Sequence, residues 1–177
     1  VFEGKKILVE RINITGNNIT NEDVIRGELL IDEGDPFTNL NLEKSIAEIK
    51  QRNIFKNVTY EVNEGSEDGL KLININVEEK PTGEIALGAG AGTSGATVSF
   101  SVKENNFLGK GIGLDSSLSL TEETIRGKFS VNNPNFRNSD KLIRFNVQAM
   151  EIDRTKNFGY KSNKVGTSVG TGFEYYE

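Results

Sequence analysis

A chain of 177 residues has room for one large or two small domains, and 27% charged residues with a mean hydropathy of -0.44 read at first as soluble and globular. The net charge of -5 leaves no basic field to attract nucleic acid, and the Lys and Arg residues are scattered. With neither Cys nor His, disulfides, thiolate and imidazole metal sites, Cys/His nucleophilic pairs and Ser/His/Asp triads are all excluded.

The start at Val1, without initiator Met or leader, reads as the edge of a longer sequence. In the first segment Leu8, Ile12 and Ile14 share one parity, as in a half-buried strand that ends at Gly16 and Asn17. Thr20, three residues before Asp23, suggests a capping box opening a short helix through Val24, Ile25 and Leu29. After the turn at Gly34 to Pro36, Asn39 or Asn41 can cap a second helix, whose Leu42, Ile46 and Ile49 make one apolar stripe. It should stop near Asn53. The period then changes to two: Val58, Tyr60 and Val62 alternate with Thr59 and Glu61, and Ile73, Ile75 and Val77 alternate with Asn74 and Asn76. NEGSEDG between them is a hairpin loop. The order β-α-α-β-β over residues 1–81 predicts a small α+β domain.

Beyond Pro81 no helical period survives, and residues 82–177 hold six segments of roughly ten residues that alternate apolar with polar or small side chains. The apolar sets are Ile85, Leu87, Ala89 and Ala91; Val98, Phe100 and Val102; Ile112, Leu114, Leu118 and Leu120; Ile125, Phe129 and Val131; Ile143, Phe145, Val147 and Ala149; and Val165, Val169, Phe173 and Tyr175. The other parity carries Ser99, Ser101, Lys103, Asp115, Ser117, Arg126, Lys128, Arg144, Asn146 and Gln148, among others. Such a pattern fits a soluble sandwich or a membrane barrel, and periodicity alone does not decide. No stretch approaches the roughly 18 apolar residues of a spanning helix, but membrane strands leave no such signal. Six strands are too few for a closed single-chain membrane barrel, which needs at least about eight.

Several motifs carry no chemistry. Gly90, Gly92 and Gly95 spell GxGxxG, yet a strand follows where a dinucleotide site needs a helix N-terminus. Glu61, Glu64, Glu67 and Asp68 lack calcium-loop spacing and read as a solvated turn. The pairs Glu78–Glu79 and Glu122–Glu123 do not converge as acid and base, because strand neighbours point to opposite faces and the second pair sits in a hairpin. No catalytic residue, metal site or cofactor is expected.

The junction and the turns discriminate further. VEEKPTGEIALGAGAGTSG (Val77 to Gly95), NNFLGKG (Asn105 to Gly111), NNPNF (Asn132 to Phe136), the "I.ITGN" of the first strand and RNIFKNV (Arg52 to Val58) occur in an order and spacing that resemble BamA-type outer-membrane protein assembly factors. One departure is Asn53, which stands where that family often has Gly. The resemblance implies the last periplasmic POTRA domain, residues 1–81, followed by an incomplete antiparallel transmembrane β-barrel of about six strands, residues 82–177. Earlier POTRA domains and about ten further strands then belong to sequence outside this piece.

The same resemblance implies a non-enzymatic insertase that folds β-barrel clients by strand templating at a lateral seam. Its partners are then unfolded outer-membrane clients, accessory assembly lipoproteins and outer-membrane lipid. The seam strand is expected at Ile85, Leu87, Gly88, Gly90 and Gly92, whose glycines leave little side-chain surface to hold a neighbour. A POTRA edge strand that receives extended segments is expected at Val58, Thr59, Tyr60, Glu61 and Val62. Periplasmic turns are expected at Phe107, Leu108, Gly109 and Gly111 and at Pro134 and Phe136, with both phenylalanines as turn-packing or interface anchors. Self-association of the piece through open strand edges is a further expectation. The alternatives are a two-partner-secretion or autotransporter-assembly relative, and a passive porin-like channel.

Overall fold

The computed structural model describes residues 6–92, 95–137, 139 and 141–173. The elements run β1 (Leu8–Thr15), α1 (Glu22–Arg26), α2 (Asn39–Gln51), β2 (Phe55–Glu64), β3 (Leu70–Glu79), β4 (Gly83–Gly92), β5 (Gly95–Phe107), β6 (Ile112–Thr121), β7 (Thr124–Asn133), β8 (Lys141–Arg154), α3 (Thr155–Phe158) and β9 (Tyr160–Phe173). They form a three-stranded sheet in the order β1-β3-β2 and a six-stranded sheet in the order β4-β5-β6-β7-β8-β9. The chain divides into two compact units: one runs to Pro81 and includes Leu108–Lys110, and Thr82–Phe107 with the chain from Gly111 form the other.

In the first unit β1 runs parallel to β3 and β2 antiparallel to it. Ile12, Ile73, Ile75, Val77 and Val58 of the sheet pack with Leu42, Ile46 and Ile49 of α2 and Ile25 of α1. The stripe expected on α2 is thus the buried one. Parity in β1 differs from the expectation: a bulge between Val9 and Arg11 slips the register, so Val9 and Ile12 are buried whereas Leu8 is not. An extra residue in one strand reverses facing beyond it, which simple alternation cannot anticipate.

The helix starts also differ. Asn21 precedes α1 without a side-chain cap, and Thr20, 3% exposed, turns inward instead. Leu29 lies beyond the end of α1 at Arg26. The cap of α2 is Thr38, whose hydroxyl accepts from the Asn41 N–H at 3.3 Å, rather than Asn39 or Asn41. Asn53 has φ 57, a left-handed conformation that Asn tolerates better than most non-glycine residues. That explains why Asn, rather than a larger residue, stands at this turn.

Gly16 is required by its surroundings: at φ +90, an added Cβ would lie 1.9 Å from the Val77 carbonyl oxygen. The loop after it is held by Glu79, at the end of β3. One carboxylate accepts the N–H groups of Asn18 at 3.0 Å, Ile19 at 3.0 Å and Thr20 at 2.7 Å, and also bonds the Thr20 side chain. Successive N–H groups converging this way make an anion nest. Desolvation pushes the Glu79 pKa up, but the hydrogen bonds from Thr20, Ile19 and Asn18 outweigh it and hold it below the ordinary carboxylate value.

A depressed folded-state pKa gives stability that is present above the unfolded value and lost as pH falls through the folded one. Glu79→Gln should therefore cost about 1–2 kcal/mol at pH 7, read by urea titration of the Ile73 and Ile75 amide signals. The gap to the parent should close once the pH drops below the folded-state pKa of Glu79.

Candidate functional site

In the second unit the cross-strand pairs assign every side chain to one of two faces. Ile85 faces Val102, Leu87 Phe100 and Ala89 Val98; Val98 then faces Leu120, Phe100 faces Leu118, and Leu120 faces Ile125. The row continues with Phe129 beside Val147, Val131 beside Phe145, and Phe145 beside Val169. The apolar sets expected from the sequence share one face, except that Tyr175 lies outside the described residues.

Among the described residues no second layer covers that face. Every buried hydrophobic residue of the core lies between Val9 and Val77, in the first unit. Among the described residues of the second unit only Asn106 and Gly111, beside one turn, are buried. Leu87 is 80% exposed, Val165 78% and even mid-sheet Phe129 42%. A sandwich would bury these side chains against a facing sheet, so the sandwich reading is overturned. Contiguous apolar surface of this extent marks contact with a membrane or a partner. Among the described residues no helix is long and apolar enough to cross a membrane, which says nothing about strands.

The other face is polar. Ser99 stands opposite Ser119, Ser101 opposite Ser117 and Lys103 opposite Asp115, and farther along Lys128 is opposite Gln148 and Asn146 opposite Ser168. Among the described residues no group of three or more acidic side chains gathers as a metal site.

Two tight turns lie at the end of the sheet where β4 begins. The β5–β6 turn has Leu108 at φ 55, Gly109 at φ 70 and Gly111 at φ 63. Asn106 closes it: its Oδ1 accepts the Gly111 N–H at 2.7 Å, and its own N–H donates to Glu104 Oε1 at 2.7 Å. Glu104 also accepts from the Thr82 hydroxyl, and the Asn105 N–H donates to the Thr82 carbonyl at 3.3 Å. Sequence reading singled out Phe107 and Leu108 and missed Glu104 and Asn106; the paired Asn before FLG was the available signal. In the β7–β8 turn, after Pro134, the Phe136 N–H donates to the Lys141 carbonyl at 2.9 Å and the Arg137 guanidinium lies 5.4 Å from the Phe136 ring centre. Phe107 and Phe136 are 41% and 36% exposed, so neither is a packed core residue.

Edges complete the site. Ile85, Leu87, Gly88, Gly90 and Gly92 lie on β4, whose sole sheet neighbour among the described strands is β5. The three glycines are not equivalent. A Cβ on Gly88 would meet Ser99 Oγ at 2.6 Å, whereas Gly90 and Gly92 face open space. In the first unit Val58, Thr59, Tyr60, Glu61 and Val62 lie on β2, also an edge. The opposite edge, β1, is covered. Val9 donates to the Asp35 carbonyl and accepts from Gly34, Phe37 donates to Ile7, Glu33 accepts from the Ile12 N–H, and Arg26 donates to the Ile12 carbonyl.

Comparison with known proteins places these features. A family model described as POTRA, surface antigen variable number repeat, matches residues 7–80. The outer membrane protein assembly factor BamA of Neisseria meningitidis serogroup B is 30% identical over 96% of this chain and 22% of its own length. That of Neorickettsia risticii is 37% identical over 62% of this chain and 15% of its own. The chain thus spans about a fifth of the length of the curated relatives it matches. Among solved structures, BamA from Haemophilus ducreyi lacking POTRA domains 1-3 superposes with a TM-score of 0.80 at 23% identity, over 94% of this chain and 32% of that one. CdiB from Acinetobacter baumannii gives 0.65 at 14% identity, over 94% and 34%. Both structural matches speak to the fold alone.

The uncovered face predicts an asymmetric response to charge. Phe129→Arg should lower the stability of the sheet in phospholipid vesicles by about 2–4 kcal/mol, read as the midpoint of urea extraction. Ser117→Arg, on the polar face, should leave that midpoint near the parent value.

Proposed function

The chain belongs to the BamA family of outer-membrane protein assembly factors, and from that premise we propose that β4 to β9 are the first wall strands of an outer-membrane barrel and that the first unit is its neighbouring periplasmic POTRA domain. The observation that carries the reading is the single-layer sheet with one oily face left bare and one polar face. Acyl chains cover the first, water and protein the second. Unfolded β-barrel clients, accessory assembly lipoproteins and outer-membrane lipid are the partners, and no bond-making chemistry is required.

The work is a matter of backbone hydrogen bonds. A strand entering hydrocarbon with unpaired N–H and C=O groups loses several kcal/mol per group, so insertion needs an edge to pair with. In this proposal β4 lends that edge, as a seam strand that parts from the closing strand of the complete barrel. Gly90 and Gly92, which lack side chains to pack against a neighbouring strand, support a weakly held seam. Gly88 fits equally a purely local role, making room for Ser99. In the parent protein, a disulfide from Leu87→Cys to the closing strand should reduce client insertion about tenfold or more, restored by reductant. Unimpaired insertion with the bond formed rejects the seam.

The second edge follows from the covered state of β1 and the open state of β2. Extended client or partner segments add to β2 through main-chain hydrogen bonds. Thr59→Pro and Glu61→Pro should each weaken binding of an extended client peptide by about tenfold, measured by calorimetry. Unchanged affinity removes β2 from the mechanism. A two-partner-secretion or autotransporter-assembly role is the nearest alternative, but the matches at 30% and 37% identity carry the assembly-factor name. A passive porin-like channel leaves the POTRA domain without a task.

A further inference from the structure

The polar face of the second sheet is not evenly charged. Across β7, β8 and β9 it carries Arg126, Lys128, Arg144 and Lys164, with Arg154 at the far end of β8 paired to Glu123 of the β6–β7 turn, and these strands place no carboxylate on it among the described residues. None of the four is in an ion pair; Arg126 reaches only the Met150 sulfur, at 3.4 Å. On the neighbouring strand β6 this face carries Asp115, which is diagonal to Lys128 and itself directly opposite Lys103. Lys128 and Arg144 share a cavity of about 310 Å³ with Asn146, Gln148 and Ser168, over Gly166, which contributes no side chain.

Register gives the patch its dimensions. Arg126, Met150 and Lys164 form one cross-strand row, and Asn132, Arg144 and Gly170 another, six residues farther along the strands. The cations therefore spread over roughly 20 Å by 10 Å. We propose that this patch receives an acidic polypeptide segment in extended conformation, about six residues long with carboxylates at alternate positions. Such a segment spans the length of the patch and turns three carboxylates to one side. Arg144 grips a carboxylate through two parallel N–H bonds and Lys128 acts as a point charge, while the Asn146, Gln148 and Ser168 groups complete the remaining lone pairs. A lone phosphate engages only the two cations of the cavity and leaves Arg126 and Lys164 idle. Lipid headgroups follow the oily face, on the opposite side of the sheet. The inference stands on side-chain placement and is independent of the assembly role.

The test uses the 177-residue chain in detergent micelles and a fluorescent hexapeptide alternating Glu with Ser, followed by anisotropy at low salt. The expected result is affinity about tenfold or more above that of the matching Gln peptide, lost to the same degree in Lys128→Gln/Arg144→Gln. Lys161→Gln, whose lysine pairs with Glu151 on the other face, should bind like the parent. Ser168→Glu, which keeps all four cations but places a carboxylate in the cavity, should also abolish binding. Equal affinity for the Glu and Gln peptides, or undiminished binding by the double variant, overturns the proposal. So does full displacement by inorganic phosphate at the peptide's own concentration, which marks a simple anion site.

Discussion

A sheet one layer thick, oily on one side, needs something other than its own chain to cover that side. The second unit is such a sheet: Leu87, Phe100, Leu118, Phe129, Phe145 and Val169 lie on one face, interrupted at Ser116 and Gly127, and no described element lies over them. At about 25 cal/mol per Å² of apolar surface, leaving such a face in water is costly for a domain whose whole stability is a few kcal/mol. The alternation that satisfies both solvents, the strand lengths of 10 to 14 residues and the tight turns at one end follow from meeting this constraint. The first unit obeys the opposite rule, with a closed hydrophobic core between one sheet and its helices.

The two units also treat their strand edges differently. In the first, residues 33–37 and Arg26 satisfy the outer groups of β1, while no such cover lies on β2 among the described residues. In the second, β4 and β9 both stand at the margin of the sheet. An open edge is a liability that soluble proteins usually blunt with charge, bulges or covering loops. Here one edge of the small sheet is covered by five separate contacts, while the other carries the bulge between Phe55 and Asn57 and the charges of Lys56, Glu61 and Glu64.

Much of this was legible in the sequence because side-chain period reports facing directly. The change from a helical stripe at Leu42, Ile46 and Ile49 to alternation at Ile73, Ile75 and Val77 located the α+β unit, and the parity sets beyond Pro81 named the oily face residue by residue. Barrel and sandwich remained indistinguishable by period, since both need alternation; only the missing second layer separates them. What escaped was local and geometric. The bulge at Glu10 reverses parity within one strand, Thr38 caps a helix from a position that reads as loop, and Thr20 belongs to the nest of Glu79 rather than to a capping box. Each depends on partners distant in sequence. The tie from Glu104 to Thr82 was likewise invisible to pattern alone, whereas the paired Asn before FLG did mark the turn that Asn106 closes. Asn53 shows the reverse case, a departure from a family pattern that its left-handed backbone explains at once.

The parallel pairing of β1 and β3 has a mechanical consequence. Because the strand that opens the first unit and the strand that closes it lie side by side and run in the same direction, the polypeptide enters at one end of the sheet and leaves at the other. Tension applied between entry and exit therefore slides the two strands along each other, loading their backbone bonds together in shear instead of peeling them one at a time. Such an arrangement yields to that tension only when several backbone bonds between β1 and β3 break together.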